Sequence, residues 1–253
     1  MSMVECLWVA GHPRKEEDRG MPDRRHSAAL FKAAVGRDAV SIVDELRRVI
    51  LDGAVPPGTP IPVGEVAEMF GVSHIPVRES LKTLTAEGLV QHRQNSGYAV
   101  AQLTASELVE MYLVRETLES AAMAAAVVHA SDSDRAHLAE VHETLQQALK
   151  FDDAQAYHRH SRQFHMALSR PSRMLRLVHM LESAWNITEP VQLMVHVEPQ
   201  QRILLHEDHR VMLDAFLSGD AEALLAAAAV HNRRLNVVVE SLPTDTGLVL
   251  GDR

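Results

Sequence analysis

The chain has 253 residues, 46% apolar and 23% charged, with a formal net charge of −9 and aromatic residues at only 4%. This suits globular cores filled by Leu, Ala, Val and Met, and it argues against a protein that coats nucleic acid through bulk positive charge. No run approaches the roughly 18 apolar residues of a membrane span, the start lacks a basic signal-peptide region, and the single Cys6 allows no internal disulfide, so a cytoplasmic protein with no membrane partner is expected.

Residues 1–36 show no sustained periodicity and read as a flexible N-terminal extension with a mixed charge run. From Asp38 onward, Val40, Ile42, Val43, Leu46, Val49, Ile50 and Leu51 form a helical stripe ending near Gly53, and Pro56-Pro57-Gly58 forces a turn. Val66, Met69 and Phe70 mark a short second helix stopped by Gly71. Ser73 is placed to cap a third helix with Pro76 in its first turn, where the missing N–H costs little. Val77, Leu81 and Leu84 face inward, and Gly88 closes the helix. Leu89–Arg93, Asn95-Ser96-Gly97 and Tyr98–Val100 then read as a hairpin. Helix, helix, helix, hairpin is a winged helix-turn-helix, assigned to residues 37–101.

After Val100 strand signals cease. Thr104–Glu107 is a capping box opening a long helix, and further helices are expected from Ser131 to about Lys150, over about 153–169, 173–185 and 199–217, and from Asp220 to about Ser241. Residues 102–241 therefore read as an all-α domain of about six helices, with 242–253 as a loose tail. The fold class is mainly α: an N-terminal winged helix-turn-helix followed by a helical bundle.

His74, Arg78 and Lys82 recur every four residues opposite the apolar stripe, so they share one face of the third helix. In a helix-turn-helix the N-terminal end of that helix enters the major groove, where Arg pairs with guanine, and Ser73 stands where free N–H groups suit phosphate. His92, Arg93 and the tip Asn95, Ser96 and Gly97 supply the wing, and Pro76 joins Ser73, His74, Arg78 and Lys82 among the expected DNA-contacting residues of the third helix. The competing reading is an ordinary solvated face. Six basic against eight acidic residues lie between Arg37 and Val100, so affinity has to rest on a few placed contacts and on pairing two copies.

The segment with Pro57-Gly58, the GVSHIPVRESL core from Gly71 to Leu81, Glu87–Val90 and Gly97 resembles the DNA-binding domain of GntR-type bacterial transcription regulators. The following region, beginning ELVEMYLVRETLE, resembles the FadR-type effector domain (FCD). The two cover about residues 38–240. Two positions depart from the pattern: His74 stands where the family often has Arg, and Gly64 where it often has a basic residue.

Eleven histidines follow residue 102. Spacing alone does not choose among them, and a lone histidine there is more often a surface or core residue. The resemblance does choose: FCD domains often carry D-x-x-x-H on one helix and single histidines on two later ones, which here implies His165, His209 and His231 around a divalent metal, with zinc the expected ion. Ser161 occupies the aspartate position. Either three imidazoles still hold a metal, completed by water or effector, or the histidines bind the effector directly; His158 and His160 lie on the same helix as substitutes. Arg115 is read either as an anchor for an anionic effector or as the ion-pair partner of Glu119 or Glu116.

The expectation is a non-enzymatic, ligand-responsive regulator: a homodimer on a double-stranded DNA operator, with a small organic acid bound in the helical domain through Arg115, Ser161, His158 and the metal. A metal-sensing repressor is one alternative. A three-histidine metalloenzyme is another, disfavoured because no placed general base accompanies the cluster.

Overall fold

Apolar residues spaced three or four apart bury one face of each N-terminal helix, and those faces meet in one core. A computed structural model describes residues 24–36, 41–94 and 96–242. Its N-terminal unit, the head, runs α1 (Arg24–Ala34), α2 (Ile42–Leu51), β1 (Pro60–Ile61), α3 (Val63–Phe70), α4 (His74–Ala86), β2 (Val90–Arg93) and β3 (Gly97–Val100). Leu46, Val49, Ile50, Val66, Val77, Leu81, Leu84 and Leu89 form its buried centre. Gly71 takes the left-handed conformation (φ 64°) that ends α3 and opens the turn to α4, which glycine adopts without strain. β2 and β3 pair antiparallel with His92 opposite Tyr98.

Two features depart from the sequence reading. Residues 24–34, assigned to a flexible extension, form α1, which seals the head by burying Ser27 and Phe31, one helical turn apart. A single buried aromatic in an 11-residue segment is too short a signal for periodicity to register. The wing also has a third strand: Pro60 and Ile61 pair with Ala99 and Tyr98, giving the order β1-β3-β2. Two residues flanked by proline carry no alternation to read. Asn95, residues 37–40 with Val40 of the expected first stripe, the charge run before Arg24 and the tail from 243 lie outside the described residues.

The second unit, the body, is helical: α5 (Ala105–His129), α6 (Asp132–Lys150), α7 (Ala154–Ser169), α8 (Leu175–Thr188), α9 (Pro199–Ser218) and α10 (Ala221–Glu240), with short 3-10 turns at Arg170–Ser172, Glu189–Val191 and Leu193–Val195. Complete capping boxes start α5 at Thr104 and α6 at Ser131. Tyr157, Phe164, Leu205, Met212, Phe216 and Leu224 lie at the centre of a core separate from that of the head.

Head and body meet at two turns. Gln192 Nε2 donates to Leu51 O (3.0 Å) and Gln155 Nε2 to Asp52 O (2.6 Å). Gly53 lies so close that a Cβ there would stand 2.5 Å from Gln192 Cγ, and its φ of 67° independently favours glycine. Gly88 packs on Ile187 in the same manner.

Candidate functional site

Helix α4 buries Val77, Leu81 and Leu84 and leaves His74, Arg78 and Lys82 exposed, as the four-residue spacing requires. His74 and Arg78 line a groove with Gly64, Ser96, Gly97 and Tyr98, so helix and wing tip face the same space. Ser73 occupies the N-cap in extended conformation, but its hydroxyl makes no capping bond; the sequence reading of Ser73 as a side-chain cap is corrected here. Pro76 sits in the first turn, its carbonyl accepting from Ser80 Oγ (2.9 Å). Ile75, not singled out from sequence, is 71% exposed at the same end of the helix. The signal was available: it is a large apolar residue on the polar side of the stripe.

The basic side chains of the head differ in what they touch. Arg47 bonds Glu87 (2.7 and 2.8 Å) and Asp44; Arg48 bonds Glu45 and Asp52. Lys82 pairs with Glu79 at 2.7 Å, which raises its pKa. Arg93 turns back to donate to Gln102 Oε1 (3.2 Å). Among the described residues of the head, Arg78 and Lys32 are the lysine and arginine side chains with no protein partner, and of the two only Arg78 stands on α4, beside the wing. The charge of Arg78 is therefore available to a ligand without breaking an existing pair.

In the body, α7, α9 and α10 bring His165, His209 and His231 together, residues 44 and 22 apart in the chain, with candidate ligand atoms all within 4.8 Å of one another. All three are buried. His165 Nδ1 lies 3.0 Å from Glu119 Oε2, so it donates to that carboxylate and leaves its Nε2 lone pair free. Trp185 Nε1 donates to the other Glu119 oxygen (3.0 Å). His209 Nδ1 lies 3.4 Å from the Tyr157 hydroxyl, and His231 Nδ1 3.7 Å from Asp208, which Arg234 also holds at 2.9 Å. Burial, reinforced by His231 and His165, pushes His209 well below the usual histidine range; burial lowers His231 against the pull of Asp208. Burial works against the charge on Glu119, yet His165 and Arg115 hold its carboxyl below the usual range.

These residues fit a divalent cation. His165 Nε2 and His209 Nε2 stand 3.2 Å apart. Two lone pairs at that distance repel, so either His209 carries its proton on Nε2 and donates it to His165, with Tyr157 donating to Nδ1, or the proton sits on Nδ1 and both Nε2 atoms face a cation. The neutral state of His209 and His231 favours ligation, and three imidazoles leave further coordination positions open. Glu119, Asp208 and Tyr157, which orient the imidazoles, were missed from sequence, except that Glu119 was considered as a partner for Arg115.

Ser161 and His158 line the same chamber, with Tyr112, Arg115, Trp185 and Met194. Ser161 is buried one turn before His165. His158 does not join the three-histidine set; its Nε2 points to Glu189 Oε1 at 3.4 Å. His160 lies outside the chamber, bonded to Gln163. Arg115 combines both readings given above: it lies on the chamber wall, 3.9 Å from Glu119, with its guanidinium 3.2 Å over the Trp185 ring and 3.2 Å from Thr188 Oγ1. As closed, the chamber leaves about 10 Å³ for the centre of a water-sized sphere, enough for one ion or one water.

Known proteins share both units. Residues 39–100 match the description "Bacterial regulatory proteins, gntR family", and residues 110–234 match the FCD domain. The chain is 30% identical to the Nta operon transcriptional regulator of Aminobacter aminovorans, over 60% of this chain and 71% of that protein. It is 29% identical to the probable D-xylose utilization operon transcriptional repressor of Paenarthrobacter nicotinovorans, over 76% and 84%. Among solved structures it superposes on E. coli McbR/YncC with a TM-score of 0.70 at 26% identity, over 78% of this chain and 94% of that one.

Proposed function

The chain belongs to the gntR family of bacterial regulatory proteins and carries an FCD domain, and on that premise we propose how it reads DNA and what its body senses. It is a ligand-responsive DNA-binding transcription regulator. It works in the cytoplasm as a homodimer, one head per half of a near-palindromic operator, with α4 in the major groove and the wing along the backbone. His74, Ile75 and Arg78 face the bases, the apolar Ile75 matching a thymine methyl and Arg78 a guanine; Ser73, Lys82, Ser96 and Gly97 approach phosphates. Arg93 and Asn95 complete the wing contacts, Arg93 after leaving Gln102.

In the body, His165, His209 and His231 hold a divalent metal, zinc by its preference for imidazole nitrogen, which supplies a positive centre for an anionic ligand. Ser161 in place of a carboxylate leaves the cation's charge uncompensated, which strengthens its pull on a small organic acid, with Arg115 and His158 beside it. No helix among the described residues is long and apolar enough to cross a membrane.

The observation that carries this reading is the unpaired guanidinium of Arg78 at the front of an exposed helix face. Arg78→Ala is expected to cost about 1–3 kcal/mol of operator binding and to abolish the specific footprint; an unchanged footprint sinks the assignment. Elemental analysis tests the metal: His209→Ala with His231→Ala loses the bound ion and keeps the helical circular dichroism of the parent. Equal metal content in the two proteins argues against the site.

A second reading gains support from the chamber's size. Room for one ion and little else suits a protein in which the metal is itself the signal. Operator release by zinc alone, with no organic acid present, distinguishes this from the first reading.

A further inference from the structure

Helix α7 serves two cavities with two faces. His158, Ser161 and His165 line the three-histidine chamber, whereas Arg159, Arg162 and Met166, with Arg170 just past the helix end, line a cleft on the other side. Leu51 and Asp52, at the end of α2, close that cleft, so it lies between head and body. It offers about 470 Å³ where the chamber offers about 10 Å³. Pockets that take small organic molecules span about 300–1,000 Å³, so the cleft has room for one as it stands.

Its charges are unevenly used. Arg170 is taken by Glu182 (3.0 Å) and Asp52 by Arg48 (3.0 Å). Arg159 has no protein partner among the described residues. Arg162 donates through Nη2 to Asn186 Oδ1 (2.6 Å), but its Nη1 is buried with no hydrogen-bond partner. Glu189 Oε2, 3.9 Å from that Nη1, likewise accepts no hydrogen bond, while Oε1 faces His158. Nη1 and Oε2 form only a long ion pair with each other, and buried polar atoms without a hydrogen bond are rare and call for a cause. Here a donor and an acceptor stand side by side, next to a free guanidinium and the apolar surfaces of Leu51, Val141 and Met166.

We propose that this cleft is a second ligand site, distinct from the three-histidine chamber, for a small hydroxy- or amino-carboxylate with a short apolar chain. The carboxylate lies on Arg159 and Arg162, the hydroxyl or ammonium donates to Glu189 Oε2, and the chain rests on Leu51, Val141 and Met166. The turn that closes the cleft is the one fastened to the body through Leu51 O and Asp52 O. A ligand seated there binds one placement of the head better than another, which makes the site regulatory.

The test is calorimetric titration of the full chain with 2-hydroxyisocaproate and with isocaproate, which lacks the hydroxyl. The parent binds the hydroxy acid saturably, and isocaproate at least about tenfold more weakly. Chelator-treated parent and the His209→Ala/His231→Ala variant keep the parent affinity, because the chamber is not used; the chelated sample answers the question even where the double variant does not fold. Arg159→Ala, at a half-exposed position with no bond to lose, weakens binding at least about tenfold. Binding that disappears with the metal but survives Arg159→Ala overturns the proposal and leaves the chamber as the acid's site. Absence of saturable binding of either acid to the parent up to millimolar concentration overturns it as well.

Discussion

The front of α4 and the three-histidine chamber are assembled from similar side chains under opposite solvation. On α4, His74 and Arg78 stand in solvent and nothing in the protein holds them. In the chamber, each imidazole has one nitrogen directed at a fixed partner: Glu119 for His165, Tyr157 for His209, Asp208 for His231. The first arrangement suits a flexible partner such as a duplex, which orders the side chains as it binds. The second suits a small ion, which rewards ligands already oriented and already neutral. Freedom in the head and restraint in the body are thus two ways of keeping polar groups ready for a ligand, and each has its own weak point.

The restraint breaks at Glu119. Its carboxylate holds His165 and Trp185 and faces Arg115, with all four side chains buried. Glu119→Leu leaves the Arg115 charge without its counter-ion and should cost about 3–5 kcal/mol of stability, read from urea midpoints. Glu119→Gln, which still accepts from Trp185, should cost less. A loss below about 1 kcal/mol for the leucine variant shows that the chamber needs no such scaffold. No single replacement on the exposed face of α4 should approach that figure, because those residues support nothing.

This contrast also explains what the sequence could reveal. The two faces of helix α4 were legible: one stripe, Val77, Leu81 and Leu84, fixes its buried side, so its solvent side follows from the 3.6-residue repeat, and Ile75 could have been placed there by the same rule, whereas the missing Ser73 cap bond could not be read. The capping box at Thr104 and the helix start at Ser131 were equally legible, because their signals lie within four residues. The chamber was not. His165, His209 and His231 come from three helices whose mutual rotation no local pattern records, and they were picked from eleven histidines through family resemblance alone. Asp208, and the contact of Glu119 with His165, stayed hidden for the same reason, although each residue occupies an inward helical position. Helix α1 and strand β1 were missed because 11 and two residues carry too little periodicity to stand out.

A smaller effect probes the restrained side through pH. His142 and His206 stack at 4.8 Å in the body, both nearly buried. Burial lowers both, and His206 falls to about 4, helped by the nearby His142 and Arg210. In the unfolded chain they titrate near about 6.5. A histidine held below its unfolded value stays neutral in the fold while the unfolded chain takes up the proton, so stability is complete above about pH 6.5 and declines as pH falls from there towards about 4. The decline is at most about 1.4 kcal/mol per pH unit for each group, and less in so far as solvent still reaches the two rings. Melting temperatures should therefore drop between about pH 7 and about pH 5. His206→Leu should flatten that dependence; an unaltered slope assigns the acid sensitivity elsewhere.

The smallest effect is expected at Lys82, and it separates two kinds of freedom on the same helix. Lys82 is well exposed and paired to Glu79 three residues away, itself equally exposed, and a pair of that kind contributes little in water. Swinging its ammonium from Glu79 to a phosphate trades one weak contact for another, and the gain is chiefly the release of a counter-ion from the duplex. Lys82→Ala should weaken binding to operator and to unrelated DNA by similar factors and should reduce the slope of log affinity against log salt by about 1. Arg78→Ala should instead remove the preference for operator while leaving most of the non-specific binding. If Lys82→Ala were to erase the sequence preference, the ammonium would be reading a base edge, and the division of α4 into a base-reading front and a phosphate-facing rear would have to be redrawn.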